Sequence, residues 1–193
     1  MNIDNFRKVF KGGTRQNRFR IDGDLFVAGT ERKFSQLTAD GQLLAKATQV
    51  PPSTIGIIPV PFRGRIAKVP GDRQYLEWPI VIYDTDSDIY RLFQAWSESL
   101  NQHSSNTRTS GFGDTKETGL TTWSVDHLDL NGDKVLKKVT LHNCWPVEVG
   151  SIDLSYDALD TVVEFPVTIA YDYFTTDSEF STAGGQSEQS NVN

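Results

Sequence analysis

Two side chains in the last third of the sequence have the types needed for nucleophilic catalysis. His142 and Cys144 are two residues apart in a segment of strand character, so we expect both on one face of a strand. A thiol–imidazole pair can attack a carbonyl carbon, but it needs a third group to orient the imidazole and a pocket for the substrate. The sequence shows neither, so the pattern favours a half-buried structural pair and predicts no catalytic residue.

Motifs that would hold a metal or a cofactor are incomplete. The segment 129–133, Asp-Leu-Asn-Gly-Asp, has the start of a calcium loop, but aligning its glycine puts His127 and Lys138 where carboxylate ligands belong. Gly111-Phe112-Gly113 lacks the third glycine of a dinucleotide-binding turn. Cys144 is the sole cysteine, which excludes a multi-cysteine zinc site. The sequence therefore predicts no metal, no cofactor and no enzymatic activity.

The composition indicates which kind of fold must position these residues. A chain of 193 residues with 37% hydrophobic and 23% charged residues fits one globular domain with arms. Fifteen glycines and eight prolines indicate many turns and hence a β-rich chain. No apolar run is long enough for a membrane-spanning helix, and residues 1–13 lack the apolar core of a signal peptide.

Alternating and β-branched residues predict an antiparallel arrangement of short strands. We expect strands over 18–27, 42–50, 55–69, 75–83, 120–130, 134–143, 147–156 and 163–173. Asp22-Gly23-Asp24 is expected to interrupt the first strand. Asn131-Gly132 predicts a type I′ hairpin turn, and Arg63-Gly64 predicts a turn within 55–69.

One segment has a convincing helical period. Ile89, Leu92, Phe93, Trp96 and Leu100 fall on one face of a helix over 87–101. A short helix is also expected over 4–10. The predicted fold class is thus mainly β, an antiparallel β-sandwich or partial barrel with one packed α-helix. We divide the chain into an N-terminal arm (1–17), a β-sandwich domain (18–174) with a mobile loop over 103–119, and an acidic, disordered tail (175–193).

The segment 55–69 is unusual for the surface of a monomer. Pro59 and Pro61 each remove a backbone donor, which favours an edge strand or a projecting loop. Its apolar side chains would then form a large exposed patch unless a partner covered them. The alternative is that these residues fill the core of the subunit.

Charge is distributed unevenly along the chain. Residues 1–73 hold 13 Lys and Arg and 6 acids, whereas residues 139–193 hold 9 acids and no Lys or Arg. A basic N-terminal segment and an acidic C-terminal segment suit head-to-tail contacts between identical copies. The alternative is chance clustering of charge on solvated surfaces. The net charge of −6 disfavours a dedicated nucleic-acid binder.

Several short segments, taken in their order and spacing, point to a known family. They are Asn17-Arg18-Phe19, Ala47-Thr48-Gln49-Val50-Pro51-Pro52, Ile58-Pro59-Val60-Pro61-Phe62-Arg63-Gly64-Arg65, Val69-Pro70-Gly71-Asp72-Arg73, Leu92-Phe93-Gln94-Ala95-Trp96, Leu141-His142-Asn143-Cys144-Trp145-Pro146-Val147-Glu148-Val149-Gly150 and Val167-Thr168-Ile169-Ala170-Tyr171-Asp172-Tyr173. Over residues 17–174 the chain resembles the tail tube proteins of T-even-like contractile phages. The loop over 103–119, longer early strands and the acidic tail depart from that pattern.

The resemblance implies a structural protein of the virion tail, assembled in the host cytoplasm. Hexameric rings would stack head-to-tail into a hollow tube whose wall is a 24-stranded β-barrel, the conduit for genome ejection. Implied partners are further copies of the chain, the tail sheath protein, the baseplate hub, the tail terminator and the tape measure protein in the lumen. Double-stranded DNA would pass through without specific binding, which an acidic wall favours.

The resemblance also places the segment 50–73 at contacts between subunits and rings. The candidate interface residues are Pro51, Pro52, Ile55, Ile58, Pro59, Phe62, Arg63, Arg65, Asp72 and Arg73. Two alternatives stay open. One is the tube of a phage-derived injection or secretion device that delivers protein. The other is a monomeric β-sandwich binding module or enzyme, which would need a concave pocket with converging polar groups.

Overall fold

The computed structural model describes residues 2–10, 13–27, 30–34, 44–85, 89–107, 119–132 and 134–177. Within these ranges the chain forms helices α1 (Ile3–Phe10) and α2 (Ile89–Leu100) and strands β1 (Phe19–Val27), β2 (Thr30–Lys33), β3 (Ala45–Thr48), β4 (Ser53–Phe62), β5 (Arg65–Tyr75), β6 (Trp78–Tyr83), β7 (Thr121–Leu128), β8 (Val135–Val149), β9 (Glu164–Ala170) and β10 (Tyr173–Thr176). The fold is mainly β, as predicted.

Eight strands make one antiparallel sheet in the order β2-β1-β7-β8-β9-β6-β3, with β10 also paired to β8. Strand β8 is 15 residues long and pairs with β7 and β10 along its first part and with β9 along its last part. Asn143 interrupts β8 at a φ of 58°, and the register against β7 shifts there. Such a bulge bends a strand. Strand β8 therefore belongs to both halves of the sandwich and connects them.

The core lies between the inner face of this sheet and α2. Ile89, Phe93 and Trp96 are the buried face of the helix. The ring of Trp96 stacks on that of Trp123 at 6.3 Å, and its indole nitrogen donates to the carbonyl of Gly119 at 2.8 Å. The prediction of a helix over 87–101 is thus confirmed for Ile89–Leu100. Its first two residues, 87 and 88, lie outside the described residues.

Gly23 corrects one prediction about β1. The strand runs without a break through Asp22-Gly23-Asp24, and Gly23 is the direct cross-strand partner of Trp123. A Cβ on Gly23 would lie 2.2 Å from the Trp123 ring. The glycine therefore makes room for the indole on the strand instead of interrupting the strand.

The two turn predictions have different outcomes. Arg63 and Gly64 both have positive φ, 45° and 78°, as a type I′ turn requires, so that turn is confirmed. The hairpin between β7 and β8 is also present, but among the described residues of its turn only Gly132 has positive φ, at 83°. The Gly132 amide donates to the carbonyl of Asp129, so the turn comprises residues 129–132 and the type I′ prediction at Asn131-Gly132 is wrong.

Strand boundaries near the C-terminal half also differ from the predictions. The segment 75–83 is split, because β5 ends at Tyr75 and β6 begins at Trp78. The predicted strand over 147–156 is wrong, since β8 ends at Val149 and residues 150–163 form an irregular loop. The predicted strand over 163–173 breaks into β9 and β10, and Thr176 extends β10 past the start of the predicted tail. Most of the predicted loop, residues 108–118, and residues 178–193 of the predicted tail lie outside the described residues.

Candidate inter-subunit interface

Strands β4 and β5 form a separate two-stranded sheet. They pair antiparallel from Ser53–Tyr75 at the base to Phe62–Arg65 at the tip. Ten residues of strand span about 30 Å, and almost every side chain along both strands is exposed. The prediction of an edge strand or projecting loop is therefore confirmed: this hairpin projects from the body.

The hairpin is attached to the body at both ends of its base. The indole nitrogen of Trp78, just after β5, donates to the carbonyl of Gln49, just before β4, at 2.7 Å. The ring of Tyr75 packs against Tyr171 at 5.9 Å and Phe174 at 5.4 Å. These contacts fix the direction of the hairpin while leaving the rest of it free of the core. Sequence reasoning missed Tyr75, since nothing local marks it as an anchor.

Both faces of the hairpin are apolar. In an antiparallel pair, directly opposed residues share a face, so the register defines the two faces. One face carries Ile58, Val60, Phe62, Ala67 and Val69, and the other carries Ile57, Pro59, Pro61, Ile66 and Pro70. Phe62 and Ile66, near the tip, are 64% and 66% exposed.

Such a ribbon is not stable by its own interactions. An isolated two-stranded hairpin is marginal in water, and contiguous exposed apolar surface of this kind marks an interaction site. Pro59 and Pro61 remove backbone donors from β4, which disfavours the addition of a third strand along that edge. The two apolar faces are therefore the surfaces that a partner would cover.

The tip of the hairpin is strongly basic. Arg63 and Arg65 flank Gly64, and the Arg63 guanidinium lies over the ring of Phe62 at 5.4 Å. Farther down, Lys68 and Arg73 outnumber Asp72. The hairpin combines apolar faces with a net positive charge, and a matching partner would be apolar and acidic.

The ten candidate residues from the sequence can now be placed. Nine of them are exposed on the hairpin or at its base, whereas Pro51 is buried in the subunit. The exposure of Ile55 and Ile58, at 49% and 52%, excludes the alternative that they fill the core of the subunit.

The fold separates the two side chains of the candidate nucleophilic pair, His142 and Cys144. The bulge at Asn143 breaks the alternation of β8, so Leu141 and Cys144 are buried in the core while His142 is not. The prediction that His142 and Cys144 share one face is therefore wrong. The His142 ring stacks on Tyr173 at 4.6 Å, and its Nε2 lies 3.1 Å from the Thr175 hydroxyl.

Burial also removes the reactivity of the thiol. It raises the pKa of Cys144 to about 12, so the thiol stays protonated at neutral pH. The thiolate is the nucleophilic and metal-binding form of cysteine. Within the described ranges, no group of three or more His, Cys, Asp or Glu side chains is placed to hold a metal ion. In the same ranges no helix is long and apolar enough to cross a membrane.

Comparison with known proteins gives a consistent result. A family model described as phage tail tube protein matches residues 15–177. The chain is 30% identical over 175 residues to the tail tube protein of Serratia phage KSP90, covering 88% of this chain and 93% of that one. It is 26% identical over 178 residues to the tail tube protein gp19 of Enterobacteria phage T4, covering 90% of this chain and 99% of that one.

A solved structure extends the likeness to the fold. The sheath/tube terminator of an extracellular contractile injection system in its extended state matches with a TM-score of 0.60. The match covers 85% of this chain and 96% of the other, at 11% sequence identity. At this identity the likeness concerns the fold.

Proposed function

The chain belongs to the phage tail tube protein family, and on that premise we propose that its copies form hexameric rings stacked head-to-tail into the tube of a contractile tail. As a member of this family the protein is a structural component of the virion tail. The hexameric ring, the 24-stranded barrel and the passage of DNA are the parts that we propose.

The observation that carries this proposal is the hairpin with two apolar faces. In a monomer, the exposure of Ile57, Ile58, Phe62 and Ile66 to water on a projecting ribbon is unfavourable. In a ring or stack of identical subunits, each contact would bury this apolar surface. Closing one half of the sheet into a barrel would also pair a strand edge that the monomer leaves open, such as that of β2 or β3 at the ends of the strand order.

Phage tail tubes are favoured over the tube of an injection device. The relatives with 26–30% identity are phage tail tube proteins, and they cover nearly the whole chain. The matching injection-system structures have 11–13% identity and support the fold only. We accordingly propose the tail sheath protein, baseplate hub, terminator and tape measure protein as partners, and no enzymatic role.

Electron microscopy of two proteins tests this function. The first is the wild-type chain, and the second carries a hairpin shortened to a tight turn that joins Ser53 to Tyr75, which keeps the Tyr75 ring against Tyr171 and Phe174. We expect rings or hollow tubes from the wild type, alone or on an added baseplate, and folded monomers from the shortened variant. A wild-type chain that stays monomeric even with a nucleating baseplate would overturn the proposal.

A further inference from the structure

The loop 150–163, between β8 and β9, exposes large apolar side chains that the subunit does not use. Leu154, Tyr156 and Leu159 are 82%, 105% and 81% exposed. The loop is nevertheless held at both ends, because the Gly150 amide donates to the carbonyl of Pro166 and the Asp84 amide donates to that of Val163. It is therefore an attached apolar surface without a partner in the subunit.

This loop borders an acidic groove of about 640 Å³. The carboxylates in the lining are Asp84, Asp153, Asp160 and Glu164. The lining also holds one lysine, Lys46, and its ammonium group forms an ion pair with Glu164. A groove with this excess of negative charge, next to exposed apolar residues, suits a ligand that is both cationic and apolar.

The groove and the hairpin lie at opposite ends of one strand. Strand β6 begins with Trp78 at the base of the hairpin, and it ends with Tyr83 in the wall of the groove. Six residues of strand separate these points by about 20 Å. The hairpin faces are exposed, so the hairpin does not fold back along its own subunit. Two complementary surfaces at opposite ends of a subunit meet between copies, which gives a head-to-tail contact.

We propose that the acidic groove and the loop 150–163 receive the hairpin tip of a second copy of this chain. Phe62 and Ile66 pack against the exposed apolar residues of the loop, and Arg63 and Arg65 face the carboxylates of the groove. The inference rests on the proposed tube function, and it adds the acceptor for the hairpin.

The backbone at the tip supports a role for Arg63 between subunits. Its φ of 45° lies in the left-handed region, where type I′ turns favour Asn or Gly and other residues cost about 1 kcal/mol. Within the described residues, the Arg63 guanidinium lies over the ring of Phe62, which is itself exposed. A contact between the Arg63 guanidinium and a neighbouring subunit would offset this backbone cost.

Two complementary variants test the contact without requiring a complete tube. The tip variant carries Arg63→Glu and Arg65→Glu and keeps an intact groove. The groove variant carries Asp153→Lys in the groove lining and Asp157→Lys at an exposed position of the adjoining loop, and it keeps an intact tip. Asp160 is spared because its φ of 58° disfavours lysine. We expect each variant by itself to remain monomeric and an equimolar mixture to associate, because the wild-type tip then meets a wild-type groove and the glutamate tip meets a lysine-bearing groove. Sedimentation velocity at rising protein concentration measures both results.

Matched controls carry the same charge changes elsewhere. Lys134→Glu with Lys137→Glu matches the tip variant, and Glu148→Lys with Asp177→Lys matches the groove variant, all at exposed positions. We expect the controls to assemble like the wild type and the pair to weaken at least about tenfold between low salt and 0.5 M salt.

The outcomes separate this inference from the proposed function. A wild type that assembles while the mixed variants do not pair, or variants that each assemble unaided, would refute the tip-in-groove contact and leave the tube intact. Variants that pair while the wild type never forms rings or tubes would support the contact and refute the tube. Failure of both the pairing and the assembly would refute both.

Discussion

Removing apolar side chains from the hairpin tip should weaken assembly without weakening the subunit. Phe62 and Ile66 lie on opposite faces of the hairpin and are 64% and 66% exposed in the monomer. Complete burial of such side chains contributes about 1.5–3 kcal/mol each. About two thirds of that remains to be gained on assembly, so Phe62→Ala with Ile66→Ala should cost about 2–4 kcal/mol per contact. This corresponds to a rise of about 30- to 1000-fold in the critical concentration.

The stability of the isolated subunit should hardly change. Surface substitutions of exposed side chains are usually within about 0.5 kcal/mol, which is about 2 °C in Tm for a chain of this size. Pelleting of assembled protein across a concentration series gives the critical concentration, and thermal unfolding of the monomer gives Tm. The matched control is Val135→Ala with Leu136→Ala, at exposed apolar positions on β8.

Two results would refute this reasoning. An unchanged critical concentration would show that the tip is not buried on assembly. A fall of more than about 6 °C in the Tm of the monomer would show that these side chains already pack within the subunit. The control variant should leave the critical concentration unchanged and lower the Tm of the monomer, because its two side chains are only 39% and 43% exposed and already pack within the subunit.

Three further predictions concern the subunit itself. The Asp126 carboxylate is 7% exposed and accepts two hydrogen bonds from the half-exposed Arg20. Arg20→Met leaves the buried carboxylate without its counter-ion, so denaturant unfolding should show a fall of about 2–4 kcal/mol in the free energy of unfolding. Asp126→Asn removes the buried charge and should cost about 1 kcal/mol, and equal losses would show that the carboxylate is not the buried partner of the pair. Burial raises the pKa of Cys144 to about 12, so the folded thiol keeps its proton above pH 9 while the unfolded thiol loses it. Stability should thus fall from about pH 9 towards pH 12, and the wild type should lose more than Cys144→Ala. Gly23→Ala would place a Cβ 2.2 Å from the Trp123 ring and should cost about 3 kcal/mol, near 10 °C in Tm; an unchanged Tm would show that the strands can separate there.

Local signals in the sequence predicted the hairpin well. Pro59 and Pro61 limit strand pairing, and Arg63-Gly64 supplies the turn, so the projecting shape follows from neighbouring residues. The helix over Ile89–Leu100 was equally accessible, because its apolar face repeats at helical spacing. These elements depend on contacts between residues close in the chain.

Features that depend on distant contacts were not predictable in the same way. Gly23 reads locally as a strand interruption, and its role is defined by Trp123, 100 positions later in the sequence. The bulge at Asn143 turns Cys144 into the core and separates it from His142. Residues 150–156, the first half of the acceptor loop, alternate apolar and polar side chains as a half-buried strand does, so the sequence predicts a strand over 147–156 there.

The most direct test of the central claim is cryo-electron microscopy of the purified protein, with its mass measured in solution. Our account predicts hollow, sixfold symmetric tubes or rings, with a ring mass of about 130 kDa, six times the 21.6 kDa of the chain. In a reconstruction, the β4–β5 hairpin of each subunit should lie against the loop 150–163 of a neighbouring copy. Monomers that persist on a nucleating baseplate, or tubes whose hairpins remain in solvent, would contradict the account.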